Sequence, residues 1–152
     1  MIEKKLTPSG AKAVQRNDDE WRAKPYSEWH RTLDKSLLAL DVDYIEWRFK
    51  DGNLYPVAVI EVTRTDKGKV VNNAYLNTIR ERFEVRDLQG RAAVRVATAL
   101  GVKAFIVLFR EDCSEFWLYN LSDRKGWCYF TPLQMEEFLL KLEDIHNGKE
   151  RS

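Results

Sequence analysis

Cysteine and histidine are scarce in this 152-residue chain, which contains two of each. Cys113 and Cys128 do not make a disulfide framework or a zinc pattern, and His30 and His146 lie too far apart for a His-rich metal site. No apolar run approaches the roughly 20 residues that cross a bilayer, and no apolar signal-peptide segment follows the first residues. These absences lead us to expect a reduced, cytoplasmic protein without a membrane anchor.

The composition is that of a folded globular domain. Hydrophobic residues make up 44% of the chain, charged residues 32% and aromatic residues 12%, which excludes a membrane or a disordered chain. The length fits about one domain, since domains usually hold roughly 100–200 residues. We expect a polar lead-in over residues 1–26, a single α/β domain over 27–146 and a frayed tail over 147–152.

The charges balance overall but are unevenly distributed along the chain. The net charge is +1, yet residues 61–103 hold nine basic and five acidic residues, a net charge of +4. Residues 104–152 hold six basic and nine acidic residues, a net charge of −3. A basic segment suits contact with a polyanion such as DNA. A solvated helix face with mixed charges is the open alternative.

Apolar residues at helical spacing predict two main helical regions before the last helix. Ser27 is a suitable N-cap with Glu28 in the first turn, so we expect a helix over 28–40. A second helical pattern covers 74–100, and Gly90 is the position where it would break into two helices.

A β-hairpin is expected between these helices. Asp51-Gly52 is a strong hairpin signal, flanked by β-forming residues over 42–49 and 54–65. The centre of the second strand, residues 57–62, is apolar on both faces apart from one acid, as in a central strand covered on both sides.

The C-terminal part predicts further strands and a well-capped helix. Thr131-Pro132 followed by Gln134 combines an N-cap, a proline at N1 and the reciprocal partner of a capping box. The expected order is α-β-β-α-β-β-α, in which the later strands cover 103–109 and 115–120, with a short edge strand over 127–130.

Two acids stand out from the surface charges. Asp43 lies at the start of the first hairpin strand, and Glu61 lies inside the apolar second strand. Buried carboxylates are usually paired or coordinate a metal, and Mg²⁺ often needs only one or two of them. A salt bridge from Glu61 to Arg48 or Arg95 is the alternative that the residues leave open.

The arrangement of these motifs resembles the PD-(D/E)XK nuclease superfamily, which includes restriction endonucleases and archaeal Holliday junction resolvases. The resemblance rests on a helix, a hairpin carrying Asp43 and the stretch from Pro56 to Thr63, and the following helix and strand, over roughly residues 27–120. The stretch from Asp41 to Trp47 is also similar to small phage-borne proteins of this type. The resemblance implies a central mixed sheet flanked by helices and Mg²⁺- or Mn²⁺-dependent hydrolysis of phosphodiester bonds in DNA.

The resemblance also implies roles for individual residues. Asp43 and Glu61 are the metal-binding acids of the two motif strands. Glu28, on the first helix, matches an additional metal-associated Glu found in many members. Gln89 corresponds to a Gln that some members place at the following helix. The implied metal ligands are therefore Glu28, Asp43 and Glu61.

One motif position departs from the family. The family's lysine falls two residues after the second acid, where this chain has Thr63. Arg64 is adjacent but alternates to the other strand face, and its pKa is too high for a general base. A lysine or arginine would have to reach in from elsewhere, the candidates being Lys67, Lys69, Arg91 and Arg95.

The departure keeps a second function open. A catalytically inactive DNA-binding or protein-interaction module on the same fold is the alternative to a nuclease. In either case Arg64, Lys67, Lys69, Arg91 and Arg95 are the expected phosphate contacts, on duplex or branched DNA. Whether the chain forms a homodimer stays open.

The hairpin geometry sets a condition for a metal site. A strict two-residue loop at Asp51-Gly52 would place Asp43 and Glu61 on opposite faces of the sheet, and Glu46 would then be the better first-strand ligand. A three-residue loop, or a bulge at Pro56, would bring Asp43 opposite Glu61. The nuclease hypothesis requires one of these two irregularities.

Overall fold

The computed structural model describes residues 5–6, 12–13, 23–66 and 68–146. The chain divides into two compact units, of which the first takes in Met1–Leu40 and Phe49–Asn53 and the second Asp41–Arg48 and Leu54–Ser152. In the first unit β1 (Lys5–Leu6) pairs with antiparallel β2 (Lys12–Ala13), and α1 spans Lys24–His30. Most of the expected lead-in, and the whole expected tail over 147–152, lie outside the described residues.

A five-stranded mixed sheet forms the centre of the second unit. The strand order is β3-β4-β5-β6-β7; β4 and β5 are parallel, and β5–β6 and β6–β7 are antiparallel. The predicted α/β class, with a mixed sheet flanked by helices, is confirmed. The strands are β3 (Tyr44–Lys50), β4 (Asn53–Thr65), β5 (Lys103–Arg110), β6 (Phe116–Asn120) and β7 (Lys125–Phe130).

Helices cover both faces of the sheet. On one face, α2 (Asn73–Glu81), a π-helical segment (Arg82–Arg86) and α3 (Leu88–Leu100) pack through residues such as Phe83 and Ala93 against Val59 and Ile106. We call this the α2–α3 face. On the opposite α4 face, α4 (Pro132–His146) packs against Ile60. Within the part of the chain that the structure describes, no helix has the length and apolar character needed to cross a membrane.

The helix predicted over 28–40 is wrong in extent, because α1 begins at Lys24 and ends at His30. Beyond it, the Thr32 hydroxyl donates to the Trp29 carbonyl at 2.6 Å, and the Asp34 carboxylate accepts from the Ser36 N–H at 2.9 Å. Such side-chain bonds to nearby backbone compete with helical hydrogen bonding. The apolar spacing that suggested a helix continues through Leu37, which is exposed.

The second helical region breaks at Asp87 rather than at Gly90. Asp87 has an extended backbone between the π-helical segment and α3, and its N–H donates to the Arg82 carbonyl at 2.8 Å. Gly90 lies inside α3, where a Cβ atom would fall 2.0 Å from the Phe83 carbonyl oxygen. The glycine therefore marks a close approach between the two segments, not the end of a helix.

The C-terminal elements follow the predictions closely. The Thr131 N–H donates to Gln134 Oε1 at 2.9 Å and the Gln134 N–H to Thr131 Oγ1 at 3.3 Å, so the capping box is confirmed. Expected strand boundaries shift by one or two residues, since β6 begins at Phe116 and β7 at Lys125.

Candidate functional site

The β3–β4 hairpin has a two-residue turn. β3 ends at Lys50 and β4 begins at Asn53, and both intervening residues have positive φ, 51° at Asp51 and 80° at Gly52. This is the backbone pattern of a type I′ turn, which matches the twist of paired strands. The three-residue loop, one of the two irregularities that the nuclease hypothesis allowed, is therefore absent from the hairpin.

The alternation of β4 changes after its proline. Tyr55 contacts the α4 face through a 3.0 Å bond to Glu143, and Val57 packs in the same cluster. Ala58 and Ile60 also belong to that cluster. Since successive strand residues point to opposite faces, two neighbours on one face, Val57 and Ala58, indicate a bulge directly after Pro56.

β3 keeps a regular alternation. With the bulge in β4, the two strands therefore adopt the arrangement in which Asp43 lies opposite Glu61. Tyr44 and Glu46 line a cavity of about 640 Å³ on the α4 face, together with Ile60. Ile45 packs on the α2–α3 face with Val59. Odd-numbered residues of β3 and of the second half of β4 thus share the α2–α3 face.

Asp43 and Glu61 form a reciprocal pair. The Asp43 N–H donates to Glu61 Oε2 at 2.8 Å, and the Val62 N–H donates to Asp43 Oδ2 at 3.0 Å. Each acid thereby uses one carboxylate oxygen to satisfy a backbone donor of the other's strand region. The remaining oxygens, Glu61 Oε1 and Asp43 Oδ1, accept no hydrogen bond from a described residue.

Burial and like charge act together on Glu61, which is 1% exposed. Burial raises the pKa of Glu61 to about 7, the Asp43 N–H bond opposes the rise, and the charges of Asp43 and Asp41 add to it. The salt bridges to Arg48 or Arg95 considered from the sequence do not form among the described residues. Arg48 instead pairs with Glu46 at 3.0 Å.

Thr63 stands where the PD-(D/E)XK pattern has its lysine, and it contacts an arginine side chain. Arg82 Nη2 donates to Thr63 Oγ1 at 3.2 Å, so a guanidinium reaches this position from the π-helical segment. Arg82 Nε lies 3.6 Å from Asp87 Oδ2. The positive charge that the sequence lacks at residue 63 is thus supplied by a residue 19 positions later.

Two buried polar atoms near this segment form no hydrogen bond among the described residues. Arg82 Nε and Gln89 Oε1 make no hydrogen bond with any described residue. Buried unsatisfied polar atoms are uncommon and often mark a water, ion or functional site. Gln89, already a candidate from the resemblance, therefore presents an unused acceptor oxygen.

Glu28 belongs to the other compact unit. It is exposed on α1, with its carboxylate 3.9 Å from the Lys24 ammonium. Among the described residues, no group of three or more His, Cys, Asp or Glu side chains is arranged to hold a metal. The three-ligand cluster with Glu28 stays a prediction, whereas Asp43 and Glu61 are in contact.

The two carboxylates alone fit a hard cation of the Mg²⁺ type. Mg²⁺ prefers oxygen ligands and usually keeps several waters, binding through one or two carboxylates plus substrate phosphates. Glu61 Oε1 and Asp43 Oδ1 are the oxygens that the backbone bonds leave unused. Asp41 adds negative charge close enough to raise the pKa of Glu61.

The basic residues expected at DNA do not share one surface. Arg64 pairs in register with Phe109, which packs on the α4 face, and lies 3.9 Å from Glu111. Lys69 stacks over the Tyr75 ring at 4.9 Å. Arg91 and Arg95 lie on α3 and line a second cavity, and Lys67 is outside the described residues.

Sequence reasoning missed Arg82 and did not single out Asp41 as a charge acting on Glu61. Asp41 stands within the quoted motif, two residues before Asp43, so its spacing was available as a signal. Arg82 carried no comparable signal, because its contact with Thr63 joins residues 19 positions apart in different elements. No protein-family model, curated protein or solved structure matches the chain, so the interpretation of the site rests on its own geometry.

Proposed function

We propose that the chain is a nuclease-like domain with a restriction endonuclease-like core, which hydrolyses phosphodiester bonds in DNA with Mg²⁺ or Mn²⁺. The reciprocal pairing of Asp43 and Glu61 is the observation that carries the proposal. It joins the two motif acids on the α2–α3 face despite a two-residue hairpin turn. Bulges often re-aim side chains at functional sites, so a bulge that aligns the two acids supports a functional reason for it.

Asp43 and Glu61 would hold the cation through the oxygens that the backbone bonds leave unused. When bound, such a cation lowers the pKa of its water and neutralises charge that develops on the phosphoryl group. The backbone bonds fix the orientation of both carboxylates, which favours coordination of a cation at one defined position. A cation would also relieve the repulsion among Asp41, Asp43 and Glu61, which adds to the rise of the Glu61 pKa that burial causes.

Arg82 would supply the positive charge that the family obtains from lysine. Its guanidinium contacts Thr63 at 3.2 Å and remains charged at any physiological pH. It can therefore stabilise a phosphate oxygen electrostatically but cannot accept a proton. Gln89 Oε1, buried without a donor among the described residues, is suited to accept a hydrogen bond from a water.

An inactive DNA-binding module is the second candidate. The observation that favours it is the same pair of acids, because each already serves the backbone and could simply hold β3 against β4. Thr63 also provides no base. The two candidates differ in one respect that can be measured, namely whether a divalent cation and Glu61 are needed for strand scission.

A cleavage assay with defined variants tests the proposal. Branched, single-stranded and duplex DNA are incubated with the protein and Mn²⁺, and in parallel with EDTA. We expect cleavage of at least one substrate that EDTA abolishes, that Glu61→Gln and Asp43→Asn remove, and that Arg82→Ala lowers by about 10²–10³-fold, as for loss of one preorganised electrostatic donor. Glu137→Gln, an exposed acid on α4, is the matched control and should cleave like the wild type.

The outcomes separate the two candidates. DNA binding without Mn²⁺-dependent cleavage of any substrate would refute the nuclease and leave the binding module. Cleavage that persists unchanged in Glu61→Gln would refute the assignment of the acids. Thermal melting of each variant excludes misfolding as the reason for lost activity.

A further inference from the structure

A second cavity, lined by charged and apolar residues, lies on the α2–α3 face, away from the paired acids. Its volume is about 430 Å³, within the range of ligand pockets. It lies beside the start of β5, where the Leu121 N–H donates to the Ala104 carbonyl at 2.9 Å. Glu61 pairs with Ile106 further along β5, so the cavity does not include the acid pair. Its lining residues are Glu84, Gly90, Arg91, Val94, Arg95, Leu121, Ser122 and Arg124.

Two arginines of this cavity face no counter-ion among the described residues. Arg91 and Arg95 are four residues apart on α3 and exposed, and neither forms an ion pair with any described residue. Like charges at this helical spacing repel and destabilise the helix slightly. The repulsion between these two side chains at the wall of the cavity is therefore unfavourable, and a bound anion would reduce it.

A third arginine is held at the cavity by an uncommon backbone conformation. Arg124 has a φ of 56°, which is unfavourable for a residue with a side chain and tends to be kept at functional sites. Its guanidinium lies 3.2 Å from the Glu84 carboxylate, yet its side chain is 72% exposed. One edge of the guanidinium is thus fixed while the rest faces outward.

The single acid of the cavity is already neutralised. Glu84, whose side chain is 7% exposed, bonds Arg80 at 2.7 Å, Arg124 at 3.2 Å and the Tyr119 hydroxyl at 3.0 Å. Burial acts to raise the pKa of Glu84, but these three bonds outweigh it and hold the pKa below its ordinary value. Glu84 is therefore a structural anchor for Arg124 and leaves Arg91 and Arg95 with excess positive charge.

We propose that this cavity is a binding site for a phosphate group, formed by Arg91, Arg95 and Arg124. Guanidinium groups match phosphate oxygens with paired hydrogen bonds and are the preferred side chains for this anion. The phosphate could belong to a free phosphorylated small molecule or to a nucleic-acid backbone, and both present the same chemistry. The site needs neither a metal nor the acid pair, so it stands independently of the proposed hydrolysis.

Binding of sodium pyrophosphate in EDTA, measured by isothermal titration calorimetry at constant ionic strength, tests the site. We expect binding by the wild type and by Glu61→Gln, and at least a tenfold loss of affinity in the double variant R91A/R95A. Lys141→Ala removes one exposed positive charge from α4 and should bind as the wild type does. Thermal melting shows whether the double variant remains folded.

Anisotropy titrations with labelled duplex DNA distinguish the sources of the phosphate. Loss of pyrophosphate binding alone in R91A/R95A indicates a free phosphorylated molecule, and loss of DNA binding, with or without pyrophosphate binding, indicates a backbone phosphate. The proposal is overturned if R91A/R95A is folded and binds both probes as tightly as the wild type, or if neither probe binds the wild type. Cleavage activity enters neither measurement, so this site and the hydrolysis can fail separately.

Discussion

Glu61 is the acid whose burial and pairing in the structure agree most directly with the sequence-based prediction. A carboxylate inside an apolar strand requires a compensating partner, and Asp43 supplies it through its backbone N–H. The sequence identified both residues because each interrupts a pattern of β-forming neighbours. Their contact was predicted only on the condition of a three-residue loop or a bulge at Pro56. The sequence did not decide between these and a regular hairpin, because the residue types at positions 56–58 permit a bulge without requiring it.

Arg82 shows the limit of such reasoning. Its helical region was expected, yet it was not among the basic residues considered as substitutes for the missing lysine. Arg82 begins the π-helical segment directly after α2, and its contact with Thr63 joins this segment to β4 across 19 positions. Side-chain placement of this kind follows from tertiary packing, which periodicity does not encode.

The raised pKa of Glu61 predicts a pH-dependent stability. The folded protein holds the Glu61 proton up to about pH 7, whereas a free carboxyl loses it near its ordinary value of 4.5. Between these values the folded state binds more protons than the unfolded state, so the free energy of unfolding falls as pH rises. Urea denaturation without metal from pH 4.5 to 8 should show this decline, which levels off above pH 7.

Glu61→Gln provides the comparison for this titration, because it removes the ionisable group but keeps its size. The free energy of unfolding of the wild type should fall relative to that of the variant as pH rises through the same window. A difference that does not change with pH would contradict the pKa assignment. Added Mn²⁺ should stabilise the wild type more at pH 8 than at pH 5, because metal binding requires the ionised carboxylate.

The helices around the π-helical segment are held together by a close backbone contact. Gly90 was noticed in the sequence as a break, but its role is to let α3 approach Phe83. A glycine inside a helix reduces helix propensity by about 1 kcal/mol relative to alanine, so its presence there has a packing reason.

Gly90→Ala should destabilise the protein despite its gain in helix propensity. The new Cβ would lie 2.0 Å from the Phe83 carbonyl oxygen, so the two segments would have to separate. We expect a loss of about 1–3 kcal/mol or more in the free energy of unfolding, as for other overpacked sites, measured by urea denaturation. Gly126→Ala, where a Cβ would meet nothing within 4 Å, should change stability by less than about 0.5 kcal/mol.

Element types were more predictable than their ends. The capping box of α4 was read directly from Thr131 and Gln134, since both partners are local in sequence. The helix expected over 28–40 was wrong, because the hydroxyl of Thr32 and the carboxylate of Asp34 bond to nearby backbone. The division of the chain into two units has no composition signal such as a proline- or glycine-rich linker.

The charge distribution over the second unit predicts which residues would contact DNA under the proposed function. The net charge of +4 on residues 61–103 is not concentrated on one surface. Arg64 faces the α4 side and approaches Glu111, whereas Arg91 and Arg95 belong to α3. The arginines of α3 should therefore make more of the phosphate contacts to DNA than Arg64 does.

Salt titration of duplex DNA binding measures these contacts separately. The logarithm of the association constant should fall linearly with the logarithm of salt concentration, by about 0.9 for each phosphate neutralised. R91A/R95A should reduce the magnitude of this slope by about 2, and Arg64→Ala should leave it within about 0.3. An equal effect of both changes would show that DNA contacts both faces.

The bulge after Pro56 has an evolutionary consequence. Asp43 and Glu61 are 18 positions apart, and whether they meet depends on the combined number of turn and bulge residues being odd. A lineage that gained one residue in the turn and lost the bulge would keep the acids together, whereas either event alone would place Asp43 and Glu61 on opposite faces of the sheet. The hairpin can therefore change length only in steps that keep the combined number of turn and bulge residues odd. Selection for the acid pair would leave compensating insertions and deletions in the hairpin.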